Sequence, residues 1–112
     1  MVLLLIVTCS SVYAQVCPIA EINPSNNKAE IIISTAAIEV LNAEPRACSA
    51  VIQNTGNEDV MCLPSNQGNP TASVGFRVTA SKPLNLGYSA RFQWKCIAVS
   101  LDSTVTTARE RQ

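Results

Sequence analysis

At 112 residues the chain has room for one domain with a modest core, and eight Lys and Arg against eight Asp and Glu leave it without net charge. That balance excludes a basic tract for nucleic acid, and neither sign clusters into a tail. With no histidine anywhere, the Ser-His and Cys-His nucleophile systems are excluded as well.

Residues 1–14, MVLLLIVTCSSVYA, are laid out as a secretory signal peptide: an apolar run, two serines, and a cleavage site after Val12-Tyr13-Ala14. The run is too short for a membrane span and no later stretch qualifies, so no transmembrane segment is expected. Leader removal would place the chain outside the cell or in a periplasm. It would also take Cys9 and leave Cys17, Cys48, Cys62 and Cys96. An even set in an exported chain, without a Cys-x-x-Cys pair or histidine, reads as a disulfide framework rather than a metal site. Residues 15–28 hold Pro18 and Pro24 and read as an extended N-terminal arm tied down at Cys17. The sequons Asn23-Pro24-Ser25 and Asn69-Pro70-Thr71 carry the forbidden proline, so no N-glycan is implied.

From residue 29 the chain reads as short strands divided by turns. AEIIIST (29–35) is rich in β-branched residues, and AAIEVLNA (36–43) alternates as a strand, although two helical turns would also suit it. Residues 47–64 read as a β-hairpin with a cysteine in each arm and a polar tip at 54–59. A polar loop at 65–70 follows, then SVGFRVTA (73–80), with Val74, Phe76 and Val78 on one face. Leu84 begins a short strand in which Gly87 marks a bulge or a close backbone approach. In ARFQWKCIAVS (90–100), Phe92, Trp94, Cys96 and Ala98 share one side, and TVTTA (104–108) is the last strand. Residues 109–112 are a charged, frayed tail. The expectation is an all-β, single antiparallel β-sandwich or jelly-roll-like domain over 29–108, of seven to eight short strands.

In the expected hairpin register Cys62 lies opposite a residue near Val51, too far from Cys48 for a disulfide. Cys62 with Cys96 and Cys17 with Cys48 is then preferred, while four cysteines allow three pairings. No catalytic residue is assigned and no cofactor or metal is expected. Glu58 and Asp59, adjacent in the hairpin tip, most simply stay solvated. Phe92 and Trp94 read as core, and Arg77, Arg91 and Lys95 as one solvent-facing set. The candidate binding surface is Tyr88 together with Asn66, Gln67 and Asn69 of the polar loop, suited to a glycan or a host or cell surface.

The succession RACSAVIQNTG (46–56), followed by a return strand at 60–63, resembles small β-rich accessory or decoration proteins of tailed-phage virions and prophages. Further along, the aromatic strand at 94–98 and the Ser/Thr/Val-rich strand at 104–107 extend the resemblance. It implies a non-enzymatic structural subunit that decorates or joins a larger assembly, located on the virion if it is not exported. Two functions follow as expectations. One is an assembly or surface-decoration protein with protein partners or self-association through sheet edges; the other is a secreted recognition module for glycans or a cell surface.

Overall fold

The computed structural model describes residues 16–25 and 29–112. The expected leader at 1–14 lies outside the described residues, as do 26–28 of the arm. Among the described residues nine strands form: β1 (Ile19–Ile22), β2 (Ile31–Ile33), β3 (Ile38–Leu41), β4 (Ala47–Asn54), β5 (Val60–Pro64), β6 (Phe76–Val78), β7 (Leu84–Asn85), β8 (Trp94–Ala98) and β9 (Ser103–Arg111). They build two antiparallel sheets. The five-stranded sheet runs β1-β9-β4-β7 with β2 also on β9, and the four-stranded sheet runs β3-β8-β5-β6. The fold is the expected all-β sandwich.

Parity along the strands decides which side chains go inside. On β9, Ser103, Val105, Thr107 and Arg109 are buried, while Thr104, Thr106 and Ala108 are half-buried on the other face. Register then carries Ile31, Ile33, Ile52 and Asn54 to the inner face beside them. From the other sheet Val60, Cys62, Val78, Trp94, Cys96 and Ala98 meet these residues in one core. All of β5 is buried, as a strand between two hydrogen-bonded neighbours and under a sandwich partner requires.

Residues 47–64 are not a hairpin. β4 pairs with β9 and β7, β5 pairs with β8 and β6, and residues 55–59 carry the chain from one sheet to the other. The arch is held by Asn54, whose amide leaves solvent and uses all its bonding capacity: Nδ2 donates to Glu58 O (2.6 Å) and Val78 O (3.0 Å), and Oδ1 accepts from Gly56 N (2.9 Å) and Ser103 Oγ (3.0 Å). Gly56 is required by space. A Cβ there would run into Ser103 Oγ and come within 2.8 Å of Thr104 N.

Two domain boundaries also move. The segment before residue 29 supplies β1, so the sandwich starts at Ile19. The expected frayed tail is the end of β9, with Arg109 only 4% exposed. Between β1 and β2, Asn23 turns the backbone through φ 46° and is fully buried. Its main-chain N–H donates to Thr107 O (2.8 Å), and its Oδ1 accepts from Thr107 N (2.7 Å). Asn23 thereby continues the β9 ladder across the gap with a side chain in place of a strand.

The disulfides join Cys17 to Cys48 and Cys62 to Cys96, with Cα atoms 6.5 and 4.1 Å apart. Since no hairpin forms, the pairing arises for a different reason than register between β4 and β5. Cys62 and Cys96 face each other directly across β5 and β8. Cys48 is half-buried where the β4–β9 register shifts, between Ala47 and Ser49, and reaches the segment before β1. Two disulfides suit an oxidising compartment.

Candidate functional site

The predicted binding residues fall in two places. Asn66 and Gln67 lie in a 3-10 turn (Ser65–Gln67), and Asn66, Gln67 and Asn69 are all exposed. Tyr88 lies in a second 3-10 turn (Gly87–Arg91) and is 71% exposed. The chain just after the second turn meets the first where Ser65 N donates to Gln93 O (2.8 Å). Tyr88 is not an open platform: the Arg91 guanidinium carbon sits 4.7 Å from its ring centre, and Phe92 meets it edge-on at 6.5 Å. Phe92 is accordingly half-buried in this surface cluster, while Trp94 is in the core with its indole N–H on Ser89 O (2.8 Å). Gly87 serves the turn through its φ of 57°; nothing lies within 4 Å of where a Cβ would be, so no close approach requires it.

The carboxylates of the arch give no catalytic pair. Asp59 binds the Arg77 guanidinium at 2.8 Å. Arg77 and Lys95 point outward from the four-stranded sheet, whereas Arg91 belongs to the Tyr88 turn and donates from Nε to Ala47 O (3.2 Å), so the three do not form one set. Among the described residues no group of three or more Cys, Asp or Glu is placed to hold a metal ion, and no helix is long and apolar enough to cross a membrane.

A cluster of charge that sequence reasoning missed closes one end of the sandwich. Glu21 of β1 and Arg109 of β9 are paired in register on the inner face. Arg109 donates from Nε (3.1 Å) and Nη2 (2.9 Å) to Glu21 Oε1, and from Nη1 to Asn42 O (3.1 Å) and Asn42 Oδ1 (3.0 Å). Arg111 Nε reaches the same Glu21 oxygen at 3.2 Å. The hydrogen bonds from Arg109 are the main cause holding the Glu21 carboxyl below its ordinary range, against the opposing effect of partial burial. Glu44 is lowered too, first by the Arg46 backbone N–H. A buried guanidinium with every bond directed at its own fold is a structural clasp, not an anion site.

A concavity lies on the outer face of the five-stranded sheet. Register sets Ile22, Ala108, Val51 and Asn85 in one row across β1, β9, β4 and β7, with Ala20, Glu110 and Ser49 in the next. The small side chains of Ala20, Ala108 and Ser49 leave a groove of about 510 Å³, walled by Ile22 and by Gly87. Ser49 Oγ donates to Glu110 Oε1 at its rim (3.3 Å). Toward the other end of the same face, Ile32, Leu101 and Thr104 border a second hollow of about 410 Å³. Ile22, Ile32 and Leu101 are 62, 67 and 65% exposed. Of the residues that β1, β2, β4, β7 and β9 turn outward, Glu110 alone is charged. The alternation of strands carried this signal in the sequence, but only register shows which rows adjoin. No protein-family model, no curated protein and no solved structure matches the chain.

Proposed function

We propose that this protein is a non-catalytic β-sandwich module that works by contact, as an exported assembly or surface-decoration protein, and that its contact surface is the outer face of the five-stranded sheet. The observation that carries the reading is that face itself: its strands turn outward rows of uncharged side chains with Glu110 as their one carboxylate, and it holds two hollows and three exposed aliphatic side chains, with Glu58 and Asp102 at the border of the second hollow. A sheet face turned permanently to water ordinarily alternates charge, and contiguous uncharged apolar surface marks an interaction site. The likeness of residues 46–56 to virion accessory proteins supports the same reading. Fractionation of the producing culture tests it. The chain should travel with particles or envelope, Ile32→Lys should release it, and Arg77→Glu on the other sheet should not; a chain soluble in every case would overturn the reading.

A second reading, recognition of a sugar ring at Tyr88, is favoured by the exposure of that ring. Its expected signature is glycan-array binding lost in Tyr88→Ala. Because Arg91 covers one ring face, we rank it below the first.

A further inference from the structure

Resting on the contact-face reading above, we propose that the occupant of this face is a basic segment of another protein, one that presents aliphatic side chains together with Lys or Arg. The aliphatic half of this requirement comes from Ile22, Ile32 and Leu101, all exposed around the two hollows. The basic half comes from the distribution of charge over a chain that has none in sum. Glu21 is bridged to Arg109 and Arg111, Glu44 to Arg46 and Arg111, and Asp59 to Arg77. Glu39 stands opposite Lys95 in the register of β3 and β8. Among the described residues, the carboxylates left without a cation are Glu30, Glu58, Asp102 and Glu110. All four belong to one side of the molecule. Glu58 and Asp102 border the second hollow, Glu110 lines the groove, and Glu30, exposed one residue before β2, has the parity of Ile32. The face is thus apolar in its middle and acidic around its rim.

The hollows say how such a segment would sit. In the second, Ile32 and Leu101 stand beside Glu58 and Asp102. A Lys or Arg side chain meets both surfaces at once, its methylene stem lying along the aliphatic wall while its charged head reaches the carboxylates. The groove repeats the arrangement with Ile22 and Ala108 beside Glu110, whose Oε1 already accepts from Ser49 Oγ. Thr104 and Glu110 mark the two ends of the face on β9, about 20 Å apart at about 3.3 Å per residue, so one extended or helical segment can touch both. Nucleic acids, acidic polysaccharides and anionic lipid surfaces would bring like charge to this rim, and a small cation would leave the exposed isoleucines uncovered. Because the carboxylates lie at the rim, they act mainly on the rate of encounter, and added salt should weaken the contact.

Fluorescence anisotropy with the full oxidised chain and three labelled eight-residue peptides tests the proposal: Leu alternating with Lys, Leu alternating with Glu, and Ser alternating with Lys. The Leu/Lys peptide should bind at least about tenfold more tightly than either of the others, because it alone supplies both halves of the match. Glu58→Gln combined with Asp102→Asn should weaken its binding about tenfold and flatten its dependence on salt, whereas Glu39→Gln on the other sheet should leave both unchanged. Circular dichroism checks that the variants fold. The proposal is overturned if the Leu/Lys peptide does not bind, if the Ser/Lys or Leu/Glu peptide binds as well, or if neutralising Glu58 and Asp102 changes nothing. Culture fractionation separates this proposal from the reading it rests on. Release of the chain from particles by Ile32→Lys, but not by Glu58→Gln with Asp102→Asn, would remove the basic partner and keep the contact face; release by neither would remove both.

Discussion

The two sheets exchange inside and outside. Among the described residues the buried polar side chains are Asn54, Ser103, Thr107 and Arg109, on strands of the five-stranded sheet, and Asn23, in the bend that joins two of its strands; the outward residues of those strands are nearly uncharged. In the four-stranded sheet the inner face of β5, β6 and β8 is aliphatic, aromatic or disulfide, and the outer face carries Glu39, Arg77 and Lys95. The difference shows how each sheet chooses its register. In β8, apolar parity suffices. In β9 it does not, since Ser103, Val105 and Thr107 are hardly more apolar than Thr104, Thr106 and Ala108, and a one-residue slip would invert the strand at little hydrophobic cost. Directional bonds decide instead: Thr107 to Asn23, Ser103 to Asn54, Arg109 to Glu21. A sheet that keeps its outside uncharged must identify its inside by hydrogen bonds.

Substitutions in each sheet can break this contrast. The largest effect is expected from Cys62→Ala with Cys96→Ala, which opens a cross-link spanning 34 residues and should cost about 4 kcal/mol in urea unfolding. Cys17→Ala with Cys48→Ala opens a span of 31 and has nearly the same chain-entropy term, so a smaller loss there would show how much the buried pair adds by packing. Next comes Asn54→Ala, which orphans several buried partners and should cost about 3 kcal/mol, while the neighbouring exposed Gln53→Ala should stay within about 0.5 kcal/mol. Glu21→Gln should cost about 2 kcal/mol, less than a fully buried pair because Glu21 keeps some contact with water. It should also flatten the acid limb. The folded Glu21 pKa lies below its unfolded one, so its contribution is whole above the ordinary value of 4.5 and is lost as pH falls through the folded value. Thermal melts of both proteins from pH 7 down to pH 3 should converge. Smallest is Arg77→Ala, which removes a half-exposed pair with Asp59 and should change stability by no more than about 0.5 kcal/mol. An Arg77 effect as large as that of Glu21 would erase the distinction between the sheets.

The same contrast explains what was legible in the sequence. Alternation in β8 and the β-branched density of β2 identify strands and inward residues because apolar parity there is the physical cause of the fold. β4 and β5 were correctly strands but wrongly neighbours, since two apolar runs joined by five polar residues serve a hairpin or an arch equally, and the choice rests on where the Asn54 amide finds partners. Arg109 read as tail because charge near a chain end is usually solvated; its partners Glu21 and Asn42 lie 88 and 67 residues away. Of the candidate site, the exposure of Tyr88 and of the loop was legible. The outer groove was not, because it is made by rows of small residues that adjoin only through register.

The buried bend at Asn23 has a consequence for growth. It divides one border of the five-stranded sheet into strands of four and three residues, and the opposite border is the two-residue β7, followed at once by a 3-10 turn. Among the described residues no border strand of this sheet is longer than four residues, which makes it a poor template for an added strand, the common route to runaway polymers in β proteins. The rims of this sheet thus resist strand addition, and what the sheet presents to other molecules is its broad outer surface.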